Sequence, residues 1–174
     1  MNDIGMQYCK DDLFDKSGFR SKTRFHQSKY RAEILKVGYN EYGNRLTLED
    51  GKRGLNFCNG LSVFEEVKKR YPDFKKPLYC DMLRSEHIPF NLFIPFKHNL
   101  DYCRDVFNDF LGNTIKNIDR IEIEYAPKPK KHYLDDNTSF DTYIEYTHND
   151  NSKGILGIEV KYTEHDYPLK KQSK

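Results

Sequence analysis

Alternating apolar and polar positions mark three strands in the C-terminal half of the chain. Residues 118–126, 140–146 and 154–164 each alternate with a period of two, which is typical of a strand with one buried face. The polar residues 147–153 separate the second strand from the third and have the composition of a hairpin turn. The pattern therefore predicts a small, mainly antiparallel sheet whose last two strands form a hairpin.

Apolar positions spaced three or four residues apart predict helices before this sheet. Residues 21–37 place Tyr30, Ile34 and Val37 on one face, and Gly38 follows where a C-cap glycine is expected. Residues 62–71 open with Ser62 and Glu65 at the spacing of a capping box. Both segments are therefore predicted to be amphipathic helices.

Two further helical segments follow. Residues 100–111 are amphipathic and are bounded by Asn99 as N-cap and by Gly112 at the C-terminal end. Residues 85–95 are the most apolar run of the chain and are predicted to be a buried, partly helical segment broken by Pro89 and Pro95.

The order of these elements predicts one α/β (α+β) domain, in which N-terminal helices pack on the small sheet. We expect residues 1–20 to be a flexible lead-in, residues 21–164 to form the domain, and residues 165–174 to be a basic tail.

Composition limits the function without defining it. The chain has 174 residues, of which 37% are hydrophobic and 14% aromatic, so it can form a packed core. Its four cysteines include no C-x-x-C pair, which argues against a zinc site. We find neither a signal peptide nor a membrane-spanning apolar run, and therefore expect a cytoplasmic protein. A net charge of +2 neither requires nor excludes a nucleic-acid partner.

Three polar residues on the last two strands form a candidate site. Alternation puts Glu159 and Lys161 on one face, about 7 Å apart along the strand, and a hairpin can bring Asp141 beside them. Two carboxylates can hold a Mg²⁺ ion, which lowers the pKa of a bound water, and a lysine can orient that water. A solvated strand face would show the same alternation and remains the alternative interpretation.

An Asp followed on the next strand by Glu-x-Lys resembles the active-site pattern of the PD-(D/E)XK nuclease superfamily. The wider motifs FDTYIEY, GIEVKYTE, HQSKYRAEIL, RLTLEDGKRGLNF and SE-x-x-x-FNLF resemble bacterial restriction-endonuclease-like proteins within it. The resemblance implies a restriction-endonuclease-like core and a Mg²⁺- or Mn²⁺-dependent endonuclease that hydrolyses DNA in restriction or defence. It also implies that Asp141, Glu159 and Lys161 are the catalytic residues, of which Asp141 and Glu159 bind the metal and Lys161 acts on the water.

Auxiliary residues each carry two interpretations. Glu33 is either a third acid near the metal or a surface ion-pair partner of Lys29 or Lys36. Other polar residues either contact the phosphates of DNA or are simply solvated; on the first predicted helix these are Arg24, Gln27 and Arg31, and in the loop at residues 127–132 they are Lys128, Lys130 and Lys131.

The pattern also leaves the completeness of the domain open. The superfamily core continues with a helix and a fourth strand, whereas ten residues follow Glu164 here. We therefore expect an incomplete core, a split-nuclease half that is completed by a second polypeptide or by self-association, with a monomer closed by its own helices as the rival. A catalytically silent DNA-binding or protein-interaction module is the alternative function.

Overall fold

A computed structural model describes residues 3–7, 18–132 and 138–164. Helices occupy the N-terminal part of this range and a three-stranded sheet the C-terminal part. The helices are α1 Phe19–Tyr30, α2 Leu48–Lys52, α3 Val63–Arg70, α4 Lys76–Cys80, α5 Ile88–Lys97 and α6 Leu100–Leu111. The strands are β1 Ile115–Tyr125, β2 Phe140–His148 and β3 Lys153–Ile158. The predicted basic tail, residues 165–174, lies outside the described residues.

The sheet has the strand order β1-β2-β3, and both neighbouring pairs are antiparallel. A tight turn joins β2 to β3, where the His148 amide donates to the Ser152 carbonyl at 2.9 Å. The predicted antiparallel sheet and its hairpin are therefore confirmed, and the α+β class with them. β3 is shorter than predicted, because its strand pairing ends at Ile158.

Two hydrophobic clusters meet at α5. The first lies among the helices and includes Phe90 and Ile94 of α5, whereas the second joins Phe93 of α5 to α6 and the sheet. A helix that is apolar around most of its circumference must be buried on more than one side, and α5 meets this condition by lying between the clusters. This packing also keeps the segment helical through Pro95 to Lys97, so the predicted break at Pro95 is wrong.

The boundaries of α6 are those predicted from its caps. The Asn99 side chain accepts a hydrogen bond from the Tyr102 amide, and Gly112 ends the helix with a φ of 70°. Cys103 is fully buried on its inner face, but Phe110 is 80% exposed. Within the part of the chain that the structure describes, no helix is long and apolar enough to cross a membrane.

The first predicted helix is present, but its buried face is polar. Tyr30 and Ile34 are exposed, whereas Arg24, Ser28 and Arg31 are buried. A π-helical turn, Arg31–Leu35, continues α1, and Lys36 ends it with a φ of 55°, so Gly38 is not the C-cap. The apolar stripe was therefore the wrong face, because the arginines find buried partners that the local pattern does not reveal.

The predicted capping box of α3 is also absent. Ser62 has a φ of 54° and makes no side-chain hydrogen bond to the helix, which begins at Val63. An N-cap residue usually has an extended backbone, from which its side chain reaches the amides of the first turn. Ser62 has a left-handed backbone instead, so its side chain does not cap α3.

Candidate active site

The register of the sheet brings Asp141 to Glu159. Thr142 of β2 pairs with Ile158, the last residue of β3, so Asp141 lies beside Glu159, the first residue after β3. An oxygen of the Asp141 carboxylate accepts a hydrogen bond from the Val160 amide at 2.6 Å. This bond fixes the Asp141 side chain against the segment that carries Glu159 and Lys161.

Glu159 and Lys161 form an ion pair at the surface. The Lys161 ammonium donates to a carboxylate oxygen of Glu159, and this hydrogen bond raises the pKa of Lys161. Both residues lie beyond the end of β3, and their side chains are 57% and 67% exposed respectively. Glu159 and Lys161 are therefore brought together by the segment at residues 159–164. We had predicted that they would lie on a strand.

That segment is anchored by Thr163 and Glu164. The Glu164 carboxylate accepts from the Ser85 amide at 2.9 Å and from the Tyr162 amide at 2.8 Å. The Thr163 hydroxyl donates to the Leu83 carbonyl at 2.9 Å. Burial opposes the charge on Glu164, but these hydrogen bonds lower the pKa of its carboxyl to about 2. Residues after β3 are therefore held in place without strand pairing.

The Asp141 carboxyl is less acidic than usual. Burial is the main cause of its raised pKa, and the negative charge of Glu159 adds to it, while the hydrogen bond from Val160 acts in the opposite direction. A positive ion placed between Asp141 and Glu159 would relieve this repulsion.

Glu124 brings a third carboxylate to this region, although its sequence pattern did not predict it as a site residue. Its neighbours on β1 pair with Thr142 and Phe140, so Glu124 stands opposite Asp141. Burial and the charge of Asp141 raise the pKa of Glu124. Alternation along β1 predicts that Glu124 lies on the same face as Glu122, opposite the apolar residues. It does not predict the left-handed conformation of Glu124, whose φ is 54°.

Of the three auxiliary residues expected on the first predicted helix, Gln27 approaches the candidate site. Its side-chain amide donates to the Tyr162 hydroxyl at 3.0 Å, one residue beyond Lys161. Arg20 also donates to the Thr163 carbonyl at 3.3 Å. Helix α1 therefore packs beside the segment that carries Lys161.

Arg24 and Arg31 are buried, which corrects their assignment as phosphate contacts. Arg24 is 2% exposed and donates to the Asn44 side chain at 2.6 Å. Arg31 is 1% exposed and donates to backbone carbonyls of four residues; they are Asp3, Ile4, Val37 and Gly43. These contacts link α1 to residues 3–7, within the predicted lead-in.

The remaining auxiliary residues lie at the surface. Glu33 is in the π-helical turn, and its carboxylate is 3.9 Å from the Lys29 ammonium, the contact expected of a surface ion pair. No described contact joins Glu33 to Asp141, Glu159 or Lys161. The loop lysines Lys128, Lys130 and Lys131 are exposed.

The donor set suits a hard divalent cation. Asp141 and Glu159 offer carboxylate oxygens, and Mg²⁺ is commonly held by one or two carboxylates together with waters and substrate phosphate. Among the described residues, no group of three His, Cys, Asp or Glu side chains is arranged to hold a metal ion. The two facing carboxylates thus fit a site that substrate and water would complete.

Comparison with protein-family models gives one family for this chain. The model described as the PD-(D/E)XK nuclease superfamily matches residues 14–174, which include Asp141, Glu159 and Lys161. Searches of curated proteins and of solved structures found no match. The family match covers residues 14–174, so the chain belongs to the PD-(D/E)XK nuclease superfamily.

Proposed function

We propose that this protein is a divalent-cation-dependent endonuclease of the restriction or defence type, which hydrolyses phosphodiester bonds of DNA. The observation that carries the proposal is the meeting of Asp141 with the Glu159–Lys161 ion pair in a chain of this nuclease superfamily. Superfamily membership supports nuclease activity, and the three side chains supply the chemical groups that phosphodiester hydrolysis needs.

Asp141 and Glu159 would hold Mg²⁺ or Mn²⁺. When bound, such an ion supplies Lewis acidity and lowers the pKa of a coordinated water. Asp141 is suited to a fixed position, because the Val160 amide and partial burial restrain its carboxylate. Glu159 is more exposed and can adjust to the ion and the substrate.

Lys161 would act on the attacking water or on the phosphate. Its ammonium is charged at neutral pH, since the ion pair with Glu159 raises its pKa. A charged ammonium donates hydrogen bonds only, so it can orient a water through the water's oxygen or stabilise negative charge on the phosphate. Exposed Lys128, Lys130 and Lys131 offer positive charge for the DNA backbone.

A cleavage assay on variants tests this proposal. We expect Asp141→Ala, Glu159→Ala and Lys161→Ala each to lower the Mg²⁺-dependent cleavage rate by roughly 100-fold or more. Glu122→Ala is the matched control, because Glu122 lies on β1 and pairs with Lys97 at 3.4 Å.

The control should cleave at the wild-type rate, and all four variants should melt cooperatively. Full activity in any one of the three site variants would remove that residue from the site. A wild-type protein that binds DNA but leaves it intact in Mg²⁺ and in Mn²⁺ would favour the catalytically silent module instead.

A further inference from the structure

An aromatic row lies beside the candidate active site. It consists of Phe140, Tyr143 and Tyr125, in which the Tyr143 and Tyr125 rings stack at 4.4 Å and the Phe140 ring lies 5.9 Å from Tyr143. Phe140 directly precedes Asp141, and it is 39% exposed. Tyr143 is buried, so the exposed ring next to the carboxylate that we assign to metal binding is that of Phe140.

The rings reach this position against the simple alternation of their strands. Strict alternation would put Phe140 on the core face with Thr142, but its ring contacts Tyr143, which shares a face with Asp141. Strict alternation would also put Tyr125 on the core face, but its ring stacks on that of Tyr143. The left-handed backbone of Glu124 interrupts the alternation just before Tyr125. The local backbone thus gathers three rings on the site side of the sheet.

Gly157 provides the room for the Phe140 ring. It lies opposite Tyr143 on β3, and a Cβ atom on Gly157 would be 2.6 Å from the Phe140 ring. Such a distance is far below van der Waals contact, so a larger residue would displace the ring. Gly157 therefore leaves the space that the Phe140 ring occupies beside Tyr143.

An arginine that is paired with a glutamate borders the row. The Arg120 guanidinium is 5.2 Å from the Tyr125 ring centre and 5.5 Å from the Tyr143 ring centre, and it pairs with Glu145 at 2.5 Å. Aromatic rings next to cationic groups are the surface on which unpaired bases of nucleic acids stack, because each base has an exposed π-face.

We propose that Phe140 stacks on an unpaired nucleobase of the substrate, next to the phosphate that is cleaved. This inference rests on the proposed nuclease function and specifies its substrate. The bases of an intact duplex are already stacked on each other, so Phe140 can engage single-stranded DNA or a base displaced from a duplex. The site therefore prefers substrate with an unpaired base at the cleavage point.

Binding measurements on variants test the stacking directly. The probes are a single-stranded oligonucleotide containing 2-aminopurine and the matching duplex, both titrated in EDTA so that no cleavage occurs. We expect Phe140→Ala to weaken single-strand binding by about 5- to 100-fold and to abolish quenching of 2-aminopurine fluorescence. Duplex affinity should stay unchanged.

Two other variants separate stacking from structural damage. Phe140→Tyr keeps an aromatic ring and should bind the single strand as the wild type does. Phe110→Ala removes another exposed phenylalanine, from α6, and should also bind normally. Equal single-strand affinity in Phe140→Ala and the wild type would overturn the inference, and so would an equal loss for both DNA forms or a failure of Phe140→Tyr to bind.

The cleavage assay distinguishes this inference from the function on which it rests. If the wild type cleaves DNA, Asp141→Ala does not, and Phe140→Ala binds normally, the stacking proposal fails and the nuclease proposal stands. If the wild type neither binds nor cleaves either form of DNA, both proposals fail.

Discussion

At the residue scale, Asp141 is the side chain on which the candidate site depends. Its carboxylate accepts a hydrogen bond from the Val160 amide and faces Glu159, and Asp141 lies opposite Glu124 on β1. Partial burial and the Glu159 charge raise its pKa, so ionised Asp141 is less favourable in the folded chain than in the unfolded one. A cation bound beside Asp141 would stabilise the ionised carboxylate and so lower its pKa.

The pH dependence of stability follows from the direction of this pKa change. For a carboxyl whose folded-state pKa is raised, the stabilising contribution is present below the unfolded-state pKa and is lost as the pH rises through the folded-state pKa. Asp141→Asn removes the charge and keeps an oxygen that can accept from Val160. We therefore expect this variant, in EDTA, to melt at a higher temperature than the wild type at pH 7.

The difference in melting temperature should shrink as the pH falls and Asp141 becomes protonated. Thermal denaturation between pH 3.5 and pH 8 measures it, with Glu122→Gln as a control that should show no such gain. A variant that is less stable than the wild type at pH 7, or a difference that grows on acidification, would contradict the assigned cause of the pKa change.

At the scale of elements, α1 illustrates which features of the fold its own sequence encodes. The caps of α6 and the hairpin between β2 and β3 follow from adjacent residues, and both were predictable. The burial of Arg31 depends on carbonyls of Asp3, Ile4 and Gly43, which are distant in sequence. The periodicity of apolar residues does not reveal such distant partners. For this reason it predicted that the face with Tyr30 and Ile34 is buried, whereas the face with Arg31 is buried.

The same limit applies to the candidate site. Alternation and the family resemblance indicated Asp141, Glu159 and Lys161, and the end of the sheet and the segment after β3 bring these residues together. Their roles stay predictions until cleavage is measured. Two features could not be predicted: Glu124 turns through a left-handed conformation, and hydrogen bonds to the segment before α5 hold Glu164. Both depend on contacts between separate elements.

Arg31 should be central to the stability of α1. Arg31→Lys replaces a planar fork of five donors by an ammonium with three, leaving buried carbonyls without partners. We expect a loss of about 2–3 kcal/mol in the free energy of unfolding, measured by urea denaturation. Lys29→Ala, which removes only the exposed partner of Glu33, should cost less than about 0.5 kcal/mol. Similar losses in the two variants would show that Arg31 is not the anchor.

At the scale of the whole molecule, the helices and the sheet each contribute to the candidate site. β2 supplies Asp141, the segment after β3 supplies Glu159 and Lys161, and the segment before α5 anchors their neighbours through Ser85 and Leu83. Residues 159–164 depend on that anchoring, because they lie beyond the strand pairing. Completion by a second polypeptide or by self-association stays a prediction, as does a cytoplasmic location.

Calorimetric titration of Mn²⁺ into the protein without DNA tests the central claim most directly, namely that Asp141 and Glu159 form a cation site. We predict saturable binding by the wild type, at least about tenfold weaker binding by Asp141→Asn and Glu159→Gln, and wild-type binding by the control Glu122→Gln. No saturable heat from the wild type at millimolar Mn²⁺, or equal affinities in the wild type and the two site variants, would contradict the account.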